Sequence, residues 1–139
     1  MKARPIILLV EPDADNESLA RKVIRHSEVD CEVRIARDGV EACAALFHTK
    51  EKLPNVILLE LDLPKLDGFE VLTRIREHEE TKRLTVIVFT HSKTIALEDK
   101  CYDLHANSFV QKDLDLDFYE TRLKLLLYYW IAVNRNSNT

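Results

Sequence analysis

The stretch "NVILLELDLPKLDGFEV" (Asn55–Val71) decides the fold. Its first half is a run of branched apolar residues that ends on the carboxylates of Glu60 and Asp62. Its second half is interrupted by Pro64 and Gly68 and then continues with apolar residues at helical spacing. This pattern predicts a strand buried on both faces, followed by an amphipathic helix. The sequence therefore places a carboxylate at the end of a buried strand.

The rest of the chain repeats this alternation of apolar runs and amphipathic segments. The predicted strands cover residues 5–10, 31–38, 55–61, 84–90 and 107–112. The predicted helices cover residues 15–27, 39–50, 68–79 and 95–105, with a long last helix from about 116 to 134. Strands that alternate with helices predict a parallel sheet covered by helices on both faces. We therefore expect a three-layer, doubly wound α/β fold, (βα)5, with a five-stranded parallel sheet and a long C-terminal helix.

Size, charge and cysteine content narrow the class of protein. A chain of 139 residues with 46% hydrophobic and 32% charged residues is typical of one soluble domain. We expect residues 1–139 to form a single domain without an output domain, and residues 135–139 to fray. The net charge of −4, without a basic patch, argues against nucleic-acid binding. Cys31, Cys43 and Cys101 lack a C-x-x-C spacing, which predicts free thiols in a reducing compartment. The first apolar run is too short for a signal peptide or membrane span, so we expect a cytoplasmic protein.

The candidate functional residues are polar side chains at the carboxyl ends of the predicted strands. In parallel α/β sheets, ligands gather beyond these ends, near the switch in strand order. The rule selects Glu11, Pro12, Asp13, Glu60, Asp62, Thr90, His91 and Lys112. We expect Glu60 at the mouth of the central strand, between acids and a lysine. A simpler interpretation, that Glu60 and Asp62 are solvated acids capping a turn, is the alternative.

Four segments together resemble response regulator receiver domains along essentially the whole chain. They are "ILLVEPD" (7–13), "VILLELDLPKLDGFEVL" (56–72), "VIVFTHS" (86–92) and "NSFVQK" (107–112). The resemblance implies a CheY-like, flavodoxin-like fold in a two-component phosphorelay. In this family a histidine kinase passes a phosphoryl group to an aspartate that ends the third strand, with Mg²⁺ held by neighbouring acids.

The resemblance assigns roles to individual positions of this chain. The acceptor's place falls on Glu60, and the hydroxyl and the lysine that bind the phosphoryl group fall on Thr90 and Lys112. Phe109 takes the place of an aromatic that rotates inward when the hydroxyl moves, although it equally suits an ordinary strand residue. The candidate Mg²⁺ ligands are Glu11, Asp13 and Asp62.

Two departures from the family pattern fall on the same site. Glu60 stands in place of the acceptor aspartate, and its extra methylene carries the carboxylate about 1.5 Å further, towards Lys112 and Thr90. Pro12 stands where the family usually has a second metal-binding acid, and it offers no side-chain oxygen. Asp13, one position later, is the remaining candidate, so we expect weakened Mg²⁺ binding. These departures predict a degenerate receiver, or pseudo-receiver, that acts by protein–protein interaction and is not an enzyme.

A further departure follows the lysine, where Asp113 replaces the proline that the family commonly has, so the usual cis bond is not expected. An ion pair between Glu60 and Lys112 is expected to hold one conformation. Whether that conformation is active-like or inert is left open by the sequence.

The last predicted helix is apolar on two faces. One stripe can pack on the sheet: Tyr119, Leu123, Leu126, Leu127 and Trp130. A second stripe is left facing outward: Phe118, Leu125, Tyr128, Tyr129 and Ala132. A surface helix with two apolar faces needs a cover, and tyrosine and tryptophan are favoured at interfaces. We therefore expect a homodimer through the fifth strand and last helix, rather than a tail folded back on its own domain. This aromatic tail also resembles the single-domain regulators that partner bacterial phytochrome-type histidine kinases.

Two other functions are alternatives to this one. The first is a phosphorylation-competent receiver that accepts a phosphoryl group from a histidine kinase, with Mg²⁺, on Glu60 or Asp62. The second is a small flavodoxin-like enzyme or nucleotide binder. The second is disfavoured because Gly39 and Gly68 are the only glycines and no glycine-rich phosphate loop exists. The expected partners are thus a histidine kinase or a downstream signalling protein, with neither nucleic acid nor a membrane.

Overall fold

A computed structural model describes residues 3–92 and 94–135 of the chain. Its strands are β1 (Ile6–Val10), β2 (Glu32–Ala36), β3 (Val56–Leu59), β4 (Thr85–Thr90) and β5 (Ser108–Gln111). Its helices are α1 (Ala14–His26), α2 (Gly39–Leu46), α3 (Gly68–Glu77), α4 (Ile95–Asp103) and α5 (Leu116–Leu127), and a π-helical segment (Tyr128–Val133) follows α5. The prediction of a frayed end concerns residues 135–139, and of these 136–139 lie outside the described residues.

The five strands form one parallel sheet in the order β2-β1-β3-β4-β5. The central strand β3 pairs with β1 on one side and β4 on the other, so Leu59 lies opposite Val10 and Val88. The strand order reverses between β1 and β3, which is the switch point where α/β sheets place their sites. The predicted fold class is confirmed, with the end of β3 at the centre of the sheet.

Helices cover both faces of the sheet. Since alternate strand residues point to opposite sides, each central strand contributes side chains to two cores. Leu8, Ile57 and Val86 belong to the core under α2, α3 and α4. Ile7 and Leu58 belong to the core under α1 and α5, on the other face. Residues of β1, β3 and β4 are buried throughout, as continuous apolar runs predict for strands covered on both faces.

Every α-helix begins directly after a side chain that accepts a hydrogen bond from its first turn. These capping residues are Asp13, Asp38, Asp67, Thr94 and Asp115. Aspartate and threonine are favoured here because their oxygens satisfy N–H groups that the helix leaves unbonded. The caps fix the loops that leave the carboxyl edge of the sheet, and one of them, Asp13, is also a candidate metal ligand.

One predicted helix end is wrong, and one predicted helix changes type along its length. The second helix was expected to reach residue 50 but ends at Leu46, and His48 then takes a left-handed φ of 60°. The last helix was expected as one helix to about 134, but its final turns from Tyr128 to Val133 are π-helical, and the N–H of Asn134 that closes them donates to the carbonyl of Tyr129, five residues back. In these wider turns Trp130 and Ile131 pack against the core that lies under α1 and α5.

Two further findings concern the described residues as a whole. None of their peptide bonds is cis, and this includes the bond before Asp113. Across residues 3–92 and 94–135, the helices are all too short or too polar to span a bilayer.

Candidate functional site

Three charged side chains meet at the carboxyl edge of the sheet, each carried there by the end of a strand. Glu11 follows β1, Glu60 follows β3, and Lys112 follows β5. Their relative exposures are 3%, 7% and 3%, so all three are buried. Such burial is rare for glutamate and lysine unless they are paired. We call these three residues the acid–lysine cluster.

The lysine ammonium joins the two carboxylates. Lys112 Nζ donates to Glu60 Oε1 at 3.1 Å and also donates to Glu11 Oε1. The second oxygen of Glu60 accepts the N–H of Leu61 at 2.8 Å, and that of Glu11 accepts the N–H of Asp13 at 3.1 Å. Each carboxylate oxygen in the cluster therefore has a donor. Glu60 points towards Lys112, at the place that the sequence assigns to it.

The hydroxyl of Thr90 lies at the end of the neighbouring strand and is also buried. Its oxygen accepts the N–H of Ser92 at 3.3 Å. Its carbonyl oxygen accepts the N–H of Lys112 at 2.7 Å, and this bond anchors the lysine backbone beside β4. Two neighbours were expected for Glu60. Lys112 is bonded to it, whereas the hydroxyl oxygen of Thr90 accepts the N–H of Ser92 instead.

The three candidate metal ligands have different environments and do not share a bonding partner. Glu11 is bonded to Lys112, and Asp13 caps α1 by accepting the N–H of Asn16 at 2.8 Å. Asp62 is exposed. Within the described part of the chain, no group of three or more His, Cys, Asp or Glu residues could hold a metal ion. In this arrangement Glu11 and Asp13 are already engaged, by an ammonium and by a helix cap, rather than preset around a cation.

Comparison with known proteins identifies the family. The family described as response regulator receiver domain matches residues 7–124, which is most of the chain. The chain belongs to this family. The receiver is 35% identical over 130 residues to the response regulator Rcp1 of Synechocystis sp., covering 91% of this chain and 88% of Rcp1.

Two solved structures are similar over nearly their full length. One is the phosphorylated cyanobacterial phytochrome response regulator RcpA, with a TM-score of 0.91, 32% identity, and coverage of 97% of this chain and 99% of RcpA. The other is the Mn²⁺-bound form of Rcp1, with a TM-score of 0.89, 33% identity, and coverage of 95% and 98%. The predicted receiver family and its CheY-like fold are confirmed, and receivers of this family are signalling domains that bind Mg²⁺ or Mn²⁺.

An aromatic pair lies beneath the acid–lysine cluster of this receiver. The ammonium of Lys112 is 5.5 Å from the ring centroid of Phe89, and Phe89 packs on Tyr119 of α5 with centroids 5.6 Å apart. Burial, and secondarily the charge of Glu11, raise the pKa of Tyr119. Phe89 was not among the functional residues predicted from the sequence. Its signal was available in the alternation of "VIVFT", which turns residue 89 towards the α1–α5 face.

Phe109 is half-buried in β5 and packs against the α2–α4 core. Its backbone N–H donates to the hydroxyl of Tyr102 at 3.1 Å, which ties α4 to the edge strand. This bond covers an N–H group that an edge strand would otherwise leave to solvent. The rotation of Phe109 stays a prediction.

The loop that follows Glu60 is packed on the start of α2. The N–H of Gly39 donates to the carbonyl of Pro64 at 3.4 Å, and Lys65 Nζ is 3.4 Å from Asp38 Oδ2. The N–H of Glu41, and secondarily the side chain of Lys65, lower the pKa of Asp38. A Cβ on Gly39 would lie 1.9 Å from the carbonyl oxygen of Leu66, so only glycine allows this approach. Gly39 thereby holds the loop beside the cluster.

The last helix carries the outward stripe that the sequence predicts. Phe118, Leu125, Tyr128 and Tyr129 are 62%, 63%, 56% and 49% exposed, and Ala132 is exposed as well. The opposite stripe packs on the sheet: Tyr119, Leu123, Leu126 and Leu127 are buried, and Trp130 is partly buried. We call the five exposed residues the outward face.

Proposed function

We propose that this receiver is a two-component signalling protein that acts through protein–protein interaction and has left the Mg²⁺-dependent phosphorylation cycle. The observation that carries the proposal is the bonding of Lys112 to Glu60, the acid at the acceptor position. A carboxylate that is already bonded to an ammonium and to the N–H of Leu61 is a poor nucleophile for an incoming phosphoryl group. The role is that of a pseudo-receiver rather than an enzyme.

The loss of metal ligands supports the same proposal. Phosphoryl transfer depends on in-line positioning and on positive charge at the transferred oxygens, which a divalent metal supplies in part. Pro12 contributes no side-chain oxygen at a position where the family usually has an acid. Metal binding is therefore proposed to be weakened at Glu11, Asp13 and Asp62.

The likeness to Rcp1 and RcpA suggests the upstream partner. RcpA is described as a cyanobacterial phytochrome response regulator. We propose a phytochrome-type histidine kinase as the partner, with a downstream signalling protein as the other possible one. The free thiols of Cys31, Cys43 and Cys101 support a reducing, cytoplasmic location.

The phosphorylation state is tested with Mg²⁺ and a small phosphodonor, followed by intact-mass measurement. The wild-type chain is expected to gain no phosphoryl mass. Lys112 is bonded to the carboxylate of Glu60, and Pro12 provides no side-chain oxygen to bind the metal. The double variant Glu60→Asp, Pro12→Asp is expected to gain one phosphoryl group, since it restores both an aspartate acceptor and a metal-binding acid.

A matched control is Asp62→Asn in the double variant, which separates Asp62 from residue 60 as the acceptor. An adduct on the double variant that survives Asp62→Asn is expected. A stable phosphoryl adduct on the wild-type chain would refute the degenerate site and favour the phosphorylation-competent receiver instead.

We also propose that the receiver forms a homodimer through the outward face. Supporting this, four large apolar side chains are about half or more exposed along one side of the last helix. Charge also differs between the two ends of α5, with Asp115 and Asp117 at its start and Lys124, which pairs with Glu120 at 2.8 Å, near its end. Two copies related by a two-fold axis, with their α5 helices antiparallel, would set opposite charges together.

The dimer is tested by light scattering or sedimentation on Leu125→Glu and Tyr129→Glu variants. Each variant is expected to shift the chain to monomer, because a carboxylate buried in an apolar interface is costly. Val40→Glu is the control, since Val40 is 54% exposed but lies on α2, on the other side of the sheet. A dimer mass that persists in both α5 variants would exclude this interface.

A further inference from the structure

We propose that Lys112 is the resident cation of this receiver's acid site and takes the place of the divalent metal. The inference deepens the proposed function and rests on it, because it concerns the same degenerate site. The ammonium satisfies the acids that a metal would use, so the folded chain neither needs Mg²⁺ nor takes it up.

The bonding of the two buried acids supports this assignment. Glu11 and Glu60 each direct one oxygen at Lys112 Nζ and the other at a backbone N–H. Across the described residues, no buried side-chain nitrogen or oxygen is left without a hydrogen-bond partner. A metal at this place would have to break bonds that the ammonium already makes.

Charge and geometry oppose a second cation. Mg²⁺ prefers octahedral oxygen ligands at about 2.0–2.1 Å, commonly one or two carboxylates with waters. The ammonium is 3.1 Å from Glu60 Oε1 and also bonded to Glu11, so a divalent ion bound by these carboxylates would lie beside a like charge. Pro12 offers no carboxylate in compensation, and one oxygen of Asp13 is engaged in capping α1.

The surroundings suit a fixed ammonium. The side chain of Lys112 is 2% exposed, and its Nζ lies on the ring face side of Phe89, 5.5 Å from the centroid. Aromatic faces attract cations, most strongly where water is excluded. The lysine backbone is anchored by Thr90, so the ammonium is held at the cluster by both ends of the residue.

The test is a titration of the chain with Mn²⁺, followed by calorimetry and by thermal unfolding with Mn²⁺ or with chelator. The wild-type chain is expected to show no saturable heat and no change in Tm. Lys112→Met leaves the carboxylates of Glu11 and Glu60 without their cation. This variant is expected to gain saturable Mn²⁺ binding and a Tm increase with Mn²⁺ on the order of 5 °C.

Lys82→Met is the matched control, because Lys82 Nζ also pairs with a carboxylate, that of Glu79 at 2.9 Å, but at the surface. It is expected to stay insensitive to Mn²⁺. Saturable Mn²⁺ binding to the wild-type chain, abolished by Glu11→Gln, would overturn the inference, and this measurement decides even if Lys112→Met does not fold. A folded Lys112→Met that ignores Mn²⁺ would also overturn it. A phosphoryl adduct on the wild-type chain would instead refute the proposed function, so the two failures are distinguishable.

Discussion

Replacing Lys112 by methionine is expected to lower the free energy of unfolding by about 3–5 kcal/mol, measured by urea denaturation without divalent metal. Methionine fills a similar volume, so the loss comes mainly from charge. Glu11 and Glu60 are both buried and both bonded to the ammonium. Without it, two carboxylates would face each other in a site of low polarity.

The exposed pair Lys82–Glu79 serves as the reference for this effect. Its nitrogen–oxygen distance is 2.9 Å, shorter than the 3.1 Å between Lys112 and Glu60, yet Glu79 is 86% exposed. Exposed pairs contribute about 0–1 kcal/mol, so Lys82→Met should change stability little. Equal losses in the free energy of unfolding for the two variants would show that burial does not make the ion pairs of the acid–lysine cluster more stabilising than an exposed pair.

Gly39→Ala is expected to lower the free energy of unfolding by about 2–3 kcal/mol. The added Cβ would lie 1.9 Å from the carbonyl oxygen of Leu66 and 2.6 Å from its Cβ. The loop between β3 and α3 would have to move, and helix propensity favours alanine by only about 1 kcal/mol. Urea denaturation measures the change, and heteronuclear NMR should show shifts that extend from α2 to Glu60.

Val40→Ala, at the next position of the same helix, is the control for this strain. Val40 is 54% exposed, so its truncation is expected to change stability by no more than about 0.5 kcal/mol. Unchanged stability of Gly39→Ala would mean that the loop yields freely and does not depend on close contact with α2.

The central strand and its terminal acid were predictable because their signals are local. The run ending at Leu59 is short, branched and apolar at every position, which favours a strand covered on both faces. General rules for parallel sheets then bring the carboxyl ends of the strands, and with them Glu11, Glu60 and Lys112, to one edge. Hydropathy therefore places the three residues at strand ends, and the rule for parallel sheets brings those ends to one edge.

Other features depend on three-dimensional packing that sequence patterns do not record. The early end of α2 is followed by a left-handed φ at His48, and the spacing of apolar residues does not predict that conformation. The π-helical turns after Leu127 follow an apolar sequence that suits an α-helix equally well. Glu11 was predicted as a metal ligand, and its bond to Lys112 depends on how two side chains share one site.

The most direct measurement of the bond between Glu60 and Lys112 is a double-mutant cycle. Unfolding free energies are compared for the wild-type chain, Glu60→Gln, Lys112→Met and the double variant. A coupling energy of about 1–3 kcal/mol between the two positions is predicted. Each single variant already breaks the Glu60–Lys112 ion pair, so the second substitution should cost less in the double variant than it does alone. Effects that add within about 0.5 kcal/mol would contradict the claim that Lys112 holds the acid at the acceptor position.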